Sequence, residues 1–448
     1  MKLHFIAIGG SAMHNLALAL HRKGYRITGS DDEIFEPSRS RLAAAGILPK
    51  EEGWDPGRIH PGLDAVILGM HAKADNPELL RARELGIPIF SYPEYLYEQS
   101  KEKTRVVIGG SHGKTTITAM ILHVLRELGI DCDYMVGAQL EGFDVMVKLS
   151  EQARIMIIEG DEYLTSPLDP RPKFHLYHPD IALLSGVAWD HINVFPTWEN
   201  YVEQFREFIR LITPKGSLVF CDEDPVLQKI CREGRDDLSR FPYGTPDYRV
   251  ADGVTRLITP AGDLPVRLFG KHNLMNLNGA RLVCRQLGIG DPSFYQAIST
   301  FSGASKRLEL LVQKGSFSLY KDFAHAPSKV KATVGAVREQ FPHRTLVACL
   351  ELHTYSSLSE AFLPRYDGTM KEADHAIVYF NPHAVQLKRL PPVTPQQVQA
   401  GFNQPGLEVF SDSEKLTERL SELPKEETIY LMMSSGNFDG IDLRSLSK

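Results

Sequence analysis

The chain of 448 residues has few cysteines and no large excess of charge of either sign. Its five cysteines, at 132, 221, 231, 284 and 349, form no C-x-x-C pair. An odd number without paired spacing fits a reducing cytosol and offers no zinc site. The formal net charge is -6, so no bulk attraction to nucleic acid or anionic membranes is expected. Any binding of phosphate must therefore be local.

Long apolar runs are absent as well, since none has the length needed to span a bilayer. The first apolar run ends at Gly9-Gly10-Ser11 and polar residues follow, which argues against a signal peptide. There is no long repeat, low-complexity tract or coiled coil. With 43% hydrophobic and 24% charged residues, the composition is typical of a globular protein, and the length predicts two to four domains. We expect a cytoplasmic protein.

The stretch Arg105–Leu128 predicts a phosphate-binding loop. It begins as a buried apolar strand, glycines interrupt the pattern, and apolar residues recur at helical spacing from Thr115 onward. In such a loop the backbone N–H groups meet a triphosphate, the lysine reaches the β/γ-phosphates, and the threonine hydroxyl holds Mg²⁺. A strict pattern needs glycine where Ile108 stands, so a plain turn ending in Gly-Lys-Thr is the alternative. The candidate nucleotide-binding residues are Gly110, Ser111, His112, Gly113, Lys114, Thr115 and Thr116.

The first 32 residues outline a dinucleotide-binding unit. A strand over 2–8, a glycine turn, a helix over 12–23 and a strand over 25–29 are followed by Asp31, where a ribose partner would lie. The turn does not read G-x-G-x-x-G, so a tight turn that only packs a helix on a sheet is the alternative. A further buried strand, 65–69, ends next to His71, and Asn76 precedes the next helix.

Polar residues follow two strands of the middle region. Strand 155–158 ends at Glu159, and strand 181–185 is followed by Asp190 and His191. Carboxylates suit Mg²⁺, whereas imidazole is a less usual ligand and an Asp-His pair is commonly a hydrogen bond or helix cap. Farther on, Asn273 and Asn276 lie three apart at the start of a helix that runs to about 287. Their side-chain amides would either contact the edge of a nucleotide base or cap the helix.

A third region repeats the α/β rhythm to the end of the chain. Its predicted strands are 317–321, 346–350, 376–379, 408–411 and 429–433. The first ends before Asp322 and His325, the second at Glu351-Leu352-His353, and the last at Ser434. We therefore predict an α/β protein with domains at 1–101, 102–301 and 302–448.

Six motifs together resemble the Mur ligases of bacterial cell-wall synthesis. They are GGSHGKTT at 109–116, EGDE at 159–162, DH at 190–191, GKHNLMN at 270–276, KRLE at 306–309 and DFAHAP at 322–327. The resemblance implies three α/β domains: a Rossmann-like N-terminal domain for a UDP-sugar, a central P-loop ATPase, and a Rossmann-like C-terminal domain that takes an amine. It also accounts for Ile108, because the family pattern begins later than the strict one.

The resemblance implies a carboxylate–amine ligase that forms an acyl phosphate from ATP. Lys114, His191 and Arg307 would be catalytic, and Thr115, Glu159 and His191 would hold Mg²⁺. Besides the loop, the ATP site would take in Asn273, Asn276, Arg307 and Asp322. The substrate-binding candidates are Gly10, Ser11, Met13, Asp31, His71, Asn76, His325 and Ser434.

The choice of amine divides one branch of this family. No lysine occurs between His191 and Lys215, so the carbamylated lysine of several members is absent, as in the branch that acts directly on UDP-N-acetylmuramate. One member adds L-alanine; another adds the recycled tripeptide L-alanyl-γ-D-glutamyl-meso-diaminopimelate. The stretch Tyr163–Pro179 resembles the tripeptide enzyme, and the P-H-R-Y-T-R pattern of alanine adders is missing near His353. The sequence therefore predicts the tripeptide, with L-alanine as the alternative.

Two other classes of protein remain as alternatives. An NAD-linked oxidoreductase explains the first 32 residues but leaves the Gly-Lys-Thr loop without a role. A nucleotide-gated binding module explains the loop but not the acidic and histidine residues at the strand ends. Phosphate release that requires both a UDP-sugar and an amine separates the ligase from both alternatives.

Overall fold

The structure, a computed structural model, describes residues 1–138, 140, 143, 145–189, 194–251, 253–303 and 308–447. Within these residues each of the three predicted regions contains its own largely parallel sheet. By compactness the chain divides into two units, one of Met1–Gly244 and Met275–Ile298, the other of Thr245–Leu274 and Ser299–Lys448. In the described part of the chain, no helix combines the length and apolar character that crossing a membrane requires.

The N-terminal sheet has four parallel strands in the order β2-β1-β3-β4. Its central strands β1 and β3 are largely buried, and Leu79 and Ala82 of α3 pack on their apolar side chains. The elements are β1 (Lys2–Ile6), α1 (Ser11–Arg22), β2 (Arg26–Ser30), α2 (Ser38–Ala44), β3 (Ala65–Leu68), α3 (Pro77–Glu84), β4 (Ile89–Ser91) and α4 (Tyr92–Ser100). A short 3₁₀ helix, Pro56–Arg58, precedes β3.

The middle sheet has seven strands in the order β13-β12-β11-β5-β8-β6-β7. Among the described residues of this sheet, β6 and β7 are the one antiparallel pair. The strands are β5 (Thr104–Gly109), β6 (Asp133–Met135), β7 (Val147–Lys148), β8 (Ile155–Glu159), β11 (Ile181–Leu184), β12 (Ser217–Cys221) and β13 (Ser239–Tyr243), with β9 (Leu164–Ser166) and β10 (Asp169–Pro172) forming a separate hairpin. The helices are α5 (Lys114–Glu127), α6 (Trp198–Arg210), α7 (Pro225–Ile230), α8 (Lys271–Gln286) and α9 (Asp291–Ile298), and Lys173–Leu176 is a 3₁₀ turn.

A three-stranded antiparallel sheet follows the middle sheet in the chain, and then comes the C-terminal sheet. The small sheet consists of β14 (Tyr248–Ala251), β15 (Val254–Thr259) and β16 (Gly262–Val266). The C-terminal sheet has the order β17-β18-β22-β19-β20-β21. Its elements are β17 (Glu309–Lys314), β18 (Phe317–Asp322), α10 (Pro327–Gln340), β19 (Thr345–Leu352), β20 (His375–Phe380), α11 (Pro382–Leu387), α12 (Pro395–Phe402), β21 (Glu408–Phe410), α13 (Ser413–Glu422) and β22 (Thr428–Met433), with 3₁₀ segments Glu360–Tyr366, Phe438–Gly440 and Leu443–Ser447.

Both faces of the C-terminal sheet are buried, as its near-continuous apolar strands require. Alternate residues of β19 point to opposite faces, so Ala348 and Leu350 join one core while Val347 and Cys349 join the other. Helices α10, α11 and α12 pack on the first face, and α13 and the C-terminal 3₁₀ segment pack on the second. Two helical layers therefore enclose a sheet that is parallel except for the β17–β18 pair.

Candidate active site

The phosphate-binding loop joins β5 to α5 and contains two glycines that no other residue could replace without strain. Gly110 and Gly113 have φ angles of +124° and +77°, which side chains disfavour. A Cβ at Gly110 would overlap Ser185 Oγ, and one at Gly113 would overlap Asn276 Oδ1. The backbone of the loop therefore lies directly against its neighbours. The predicted order of strand, glycine loop and helix is confirmed.

Hydrogen bonds to neighbouring segments hold the loop in place before the first turn of α5. The Ser111 N–H donates to Gly186 O (2.9 Å), and the Ser111 hydroxyl accepts the Ala188 N–H (2.8 Å) and contacts Tyr201 OH (2.9 Å). Ser185 donates to the carbonyl of His112. The first N–H groups of a helix have no partner within it and attract anions. The N-terminus of α5, where Thr115 and the buried Thr116 lie, is thus suited to phosphate.

Lys114 is fixed at the mouth of this loop. Its Nζ donates to Gly110 O at 2.7 Å and forms an ion pair with Glu162 Oε2 at 2.6 Å. Burial lowers the pKa of Lys114, but the carboxylates of Glu162, Asp161 and Glu159 raise it by more, so the net shift is upward. The ammonium therefore stays charged and lies beside the loop that would hold phosphate.

An acidic residue and a hydroxyl meet at the end of β8. Thr115 Oγ1 donates to Glu159 Oε1 at 2.8 Å, and the Gly137 N–H donates to Glu159 Oε2 at 2.9 Å. A hydroxyl and a carboxylate oxygen in contact are hard ligands of the kind Mg²⁺ takes, so these residues fit the predicted ion. His191 and its neighbour Asp190 lie outside the described residues. Among the described residues no three His, Cys, Asp or Glu side chains form a metal-binding group.

The stretch that resembles the tripeptide enzyme has structural partners of its own. Lys173 Nζ pairs with Asp161 Oδ2 at 2.7 Å, and Arg171 pairs with Asp169 at 2.7 Å within the β9–β10 hairpin. Burial raises the pKa of Asp161, but Lys173 and Lys114 lower it by more, so it stays ionised. The side chain of Tyr177 is fully buried. The Lys173–Asp161 pair holds an acidic residue near Lys114, and the Arg171–Asp169 pair lies within the hairpin. None of these contacts indicates binding of a peptide.

The two predicted asparagines of α8 have different surroundings. Asn276 is buried, with its Oδ1 against Gly113, so this residue of α8 packs on the phosphate-binding loop. Asn273 is also buried, and its Nδ2 donates to the carbonyl of Phe269 at 3.0 Å. Because the amide donates here, this bond is not the N-cap of the alternative interpretation, in which the side-chain oxygen accepts backbone N–H groups.

We expect Gly113→Ala to weaken nucleotide binding at least tenfold, because the new Cβ would displace Asn276 and twist the loop. Gly129→Ala is the matched control, since Gly129 ends the same helix at φ +68° with no atom within 4 Å of its Cβ position. Both variants carry the cost of a left-handed alanine, about 1–2 kcal/mol. Fluorescent ATP titration should show weakened binding for Gly113→Ala alone. Equal affinity in the two variants would contradict the role of this contact.

The substrate candidates of the N-terminal domain lie at the ends of its strands and helices. Gly10 and Ser11 begin α1, Met13 is buried in it, and His71 is exposed after β3. The side chain of Asn76 accepts N–H groups of Glu78 and Leu79 and so caps α3. The carboxylate of Asp31 accepts the Gly9 N–H at 2.7 Å, which ties the glycine turn to the end of β2.

The stability of the protein should depend on the ionisation of Asp31. Burial, with a further contribution from Asp32, raises the pKa of Asp31 to about 6, although the Gly9 N–H opposes the shift. Between about pH 4 and 6 the folded chain then holds a proton that the unfolded chain has lost, so stability falls as pH rises through this window. The expected loss is roughly 2 kcal/mol.

Urea unfolding at pH 4, 5, 6 and 7.5 measures this effect. Asp31→Asn should remove this part of the pH dependence, whereas the exposed Asp75→Asn should keep it. Identical pH slopes in the parent protein and Asp31→Asn would contradict the prediction.

The C-terminal candidates cluster at the carboxyl ends of β18, β19 and β22. The Asp322 carboxylate accepts N–H groups of Leu308 and Ala324, both at 2.7 Å, so it anchors the residue that follows Arg307. Arg307 itself lies outside the described residues. His325 Nδ1 is 2.8 Å from Phe323 O.

Ser434 donates a hydrogen bond to Glu351, a residue that the sequence analysis noted at a strand end without assigning it a role. Glu351 is buried. The sequence signal that could have pointed to this contact was the presence of polar residues at the ends of both strands.

The comparisons with known proteins agree with this arrangement. Profiles of the Mur ligase family match in order: its catalytic domain over residues 2–104, its middle domain over 108–284 and its glutamate ligase domain over 306–436. A UDP-N-acetylmuramate–L-alanine ligase of Limosilactobacillus reuteri is 31% identical over 84% of each chain.

Two solved structures extend the comparison. The UDP-N-acetylmuramate:L-alanyl-gamma-D-glutamyl-meso-diaminopimelate ligase from Neisseria meningitides is 27% identical, with a TM-score of 0.59 over 67% of this chain and 98% of that chain. The UDP-N-acetylmuramate-alanine ligase of Thermotoga maritima has a TM-score of 0.70 at 19% identity, over 98% of this chain and 97% of that chain, and supports the fold.

A phosphate-binding loop with a fixed lysine, in a chain with three largely parallel sheets, defines a nucleotide-binding α/β protein. The chain belongs to the Mur ligase family. It is an ATP-dependent acid–amino-acid ligase of cell-wall synthesis, with the predicted three-domain α/β architecture. The domain boundaries at 101 and 301 and the assignments of individual site residues stay predictions.

Proposed function

We propose that this enzyme joins the carboxylate of UDP-N-acetylmuramate to an amine whose first residue is L-alanine. The observation that carries the proposal is the charged Lys114, held at the phosphate loop beside the Thr115–Glu159 pair. Two anions, a γ-phosphate and a carboxylate, must come into contact, and preorganised positive charge with N–H donors stabilises that arrangement. The names of the relatives supply the sugar and the amine.

In the reaction, ATP would phosphorylate the sugar carboxylate, and the amine would displace phosphate from the acyl phosphate. Lys114 and the N–H groups of the loop hold the phosphates, and Asn276 keeps the loop in shape. Glu159 and Thr115, with His191, would hold Mg²⁺, which when bound would neutralise charge between the γ-phosphate and the carboxylate. Arg307 and Asp322 would complete the ATP site from the third domain, and the N-terminal candidates would hold the UDP-sugar.

Free L-alanine is the better supported amine, because the curated relatives of about 30% identity carry that activity in their names. The tripeptide is the second candidate, and it would make the protein a murein peptide ligase of recycling. Its specific support is the absence of the alanine adders' arginine-bearing pattern near His353 and the 27% identical tripeptide ligase structure. The stretch Tyr163–Pro179 supports it less than the sequence suggested, since the polar groups of Lys173 and Arg171 pair within the protein.

The test is phosphate release by purified protein with Mg-ATP and UDP-N-acetylmuramate, run in parallel with L-alanine, tripeptide and diaminopimelate. Faster turnover of L-alanine supports the first candidate; faster turnover of tripeptide supports the second. A tripeptide site would use remote contacts that free alanine lacks, so the difference should appear in kcat/KM for the amine and not in ATP binding. No release with any amine would overturn the ligase proposal, and release without the UDP-sugar would overturn its choice of substrate.

A further inference from the structure

The carboxyl ends of β19 and β22 lie side by side at one edge of the C-terminal sheet, a place that we call the crevice. These strands are neighbours at the centre of the sheet. The chain leaves β19 toward the face packed by Leu358 and Leu363, and it leaves β22 toward the opposite face, packed by Phe438 and Leu443. Such a point, where adjacent strands send their connections to opposite faces, is where open α/β sheets bind ligands.

A buried carboxylate lies at this crevice and is oriented by the protein itself. The side chain of Glu351 is 3% exposed. Its Oε2 accepts the Ser434 hydroxyl and the Phe438 N–H, the latter at 2.8 Å. Ser434 in turn accepts the Gly436 N–H at 2.6 Å. One carboxylate oxygen is thus fixed by the segment after β22.

The other oxygen of Glu351 faces a histidine that reaches the surface. Glu351 Oε1 is 3.9 Å from His353 Nδ1, and the His353 side chain is 39% exposed. A Cβ at Gly436 would come within 2.9 Å of both His353 Nδ1 and Glu351 Oε2, so the Gly436 backbone packs on the pair and limits its movement. A histidine oriented by a carboxylate, with its far nitrogen available, is a common arrangement for a general base.

We propose that His353 is the general base for the incoming amine and that Glu351 is its positioning residue. The inference rests on the proposed function, whose last substrate enters as an ammonium ion. The site of Lys114 attracts anions, whereas the crevice holds a carboxylate and an imidazole, which suit a cation. Among the described residues, the Glu351 carboxylate acts on two ionisable neighbours, Cys349 on β19 and Tyr379 on β20. Burial is the main cause that raises the pKa of each, to about 12 for Tyr379, and Glu351 adds to both rises.

The proton and the bonds balance as follows. Neutral His353, with Nδ1–H toward Glu351, takes one proton from the ammonium at Nε2. The freed nitrogen lone pair forms the C–N bond at the acyl carbon, and the bond from that carbon to the phosphate oxygen breaks with its electrons on phosphate. The second proton lost by nitrogen passes to the departing phosphate. The 3.9 Å between His353 Nδ1 and Glu351 Oε1 must shorten to hydrogen-bond distance for this step, as catalytic pairs commonly do on forming the Michaelis complex.

The test compares His353→Gln with His343→Gln, a matched control, since His343 is exposed near the amino end of the same strand. Phosphate release is measured from pH 6 to 9 at saturating ATP and UDP-N-acetylmuramate, with whichever amine the unaltered protein uses. His353→Gln should lower kcat/KM for the amine by about 10²–10⁴-fold and leave the KM for ATP unchanged. The loss should shrink as pH approaches the pKa of the amine, which then needs no base.

Two further variants separate catalysis from folding. Glu351→Gln keeps an oxygen for the Phe438 N–H, so it should fold, yet it should shift the pH profile. His353→Ala should regain activity with added imidazole. If His353→Gln retains the rate and pH profile of the unaltered protein, this inference is overturned while the proposed function stands. If the unaltered protein shows no amine-dependent release, both are overturned.

Discussion

Lys114→Ala should reduce phosphate release about 10²–10³-fold, the usual cost of removing one preorganised charge from a transition state. The Lys114 ammonium is fixed by Gly110 O and Glu162, so it needs no reorganisation when the phosphoryl group moves. Single-turnover ADP formation at saturating ATP measures the effect. Lys148→Ala is the control, because the Lys148 side chain forms an exposed ion pair with Asp131.

The same substitution should also destabilise the protein, since it leaves the buried Glu162 without its cation. Breaking a buried pair by removing one partner costs about 3–5 kcal/mol. The double variant Lys114→Ala/Glu162→Gln removes the unpaired charge, so it should recover most of the stability but none of the activity. Near-normal ADP formation by Lys114→Ala would overturn the assignment of the loop. Recovery of activity in the double variant would show that folding, and not chemistry, had been measured.

The fold could be predicted wherever strands are buried on both faces. The expected strands at 155–158, 181–185 and 429–433 appear at Ile155–Glu159, Ile181–Leu184 and Thr428–Met433. An apolar run bounded by polar or glycine residues is enough to locate such a strand. Their ends differ by a residue because pairing with neighbours, and not local sequence, fixes where a strand stops.

The strands that the sequence analysis missed are mostly short, half-exposed or polar. β14 alternates between half-buried and exposed residues, β15 begins with half-buried and buried residues in alternation, and β16 is mostly exposed. The hairpin of β9 and β10 contains three prolines. These strands depend on antiparallel partners that periodicity in a single segment does not reveal. β12 is a buried apolar run, and the same criterion used for the other strands would have found it.

The residues of the site also fall into two groups, those that a contiguous motif locates and those that only the fold brings together. The glycine loop and Thr115 are contiguous, so a motif locates them. The Lys114–Glu162 pair joins residues 48 apart and the Ser434–Glu351 bond joins residues 83 apart. Sheet order brings those partners together, and no single stretch of sequence encodes it. Lys173 and Arg171 differ from these cases, because each pairs with a carboxylate close to it in sequence, although their stretch resembles the tripeptide enzyme.

Glu159→Ala should raise the Mg²⁺ concentration needed for half-maximal activity about 10–100-fold, a range typical of disturbed metal sites. Its carboxylate is the acidic oxygen that Thr115 Oγ1 contacts at 2.8 Å, so its loss removes charge where a hard cation would bind. The Gly137 N–H would lose its acceptor as well. Asp169→Asn is the control, because Asp169 pairs with Arg171 in the hairpin.

Two readouts keep the metal effect apart from a loss of fold. Mg²⁺ titrations of fluorescent ATP binding should shift in Glu159→Ala without any turnover being required, and thermal melting should show that the variant is folded. His191→Ala belongs in the same series, since the family resemblance implies that His191 is also a ligand of Mg²⁺. An unchanged Mg²⁺ requirement in His191→Ala would instead support the alternative, in which His191 forms a hydrogen bond or caps a helix. The same result in Glu159→Ala would remove the metal site from the end of β8, because no other described carboxylate contacts Thr115 Oγ1 there.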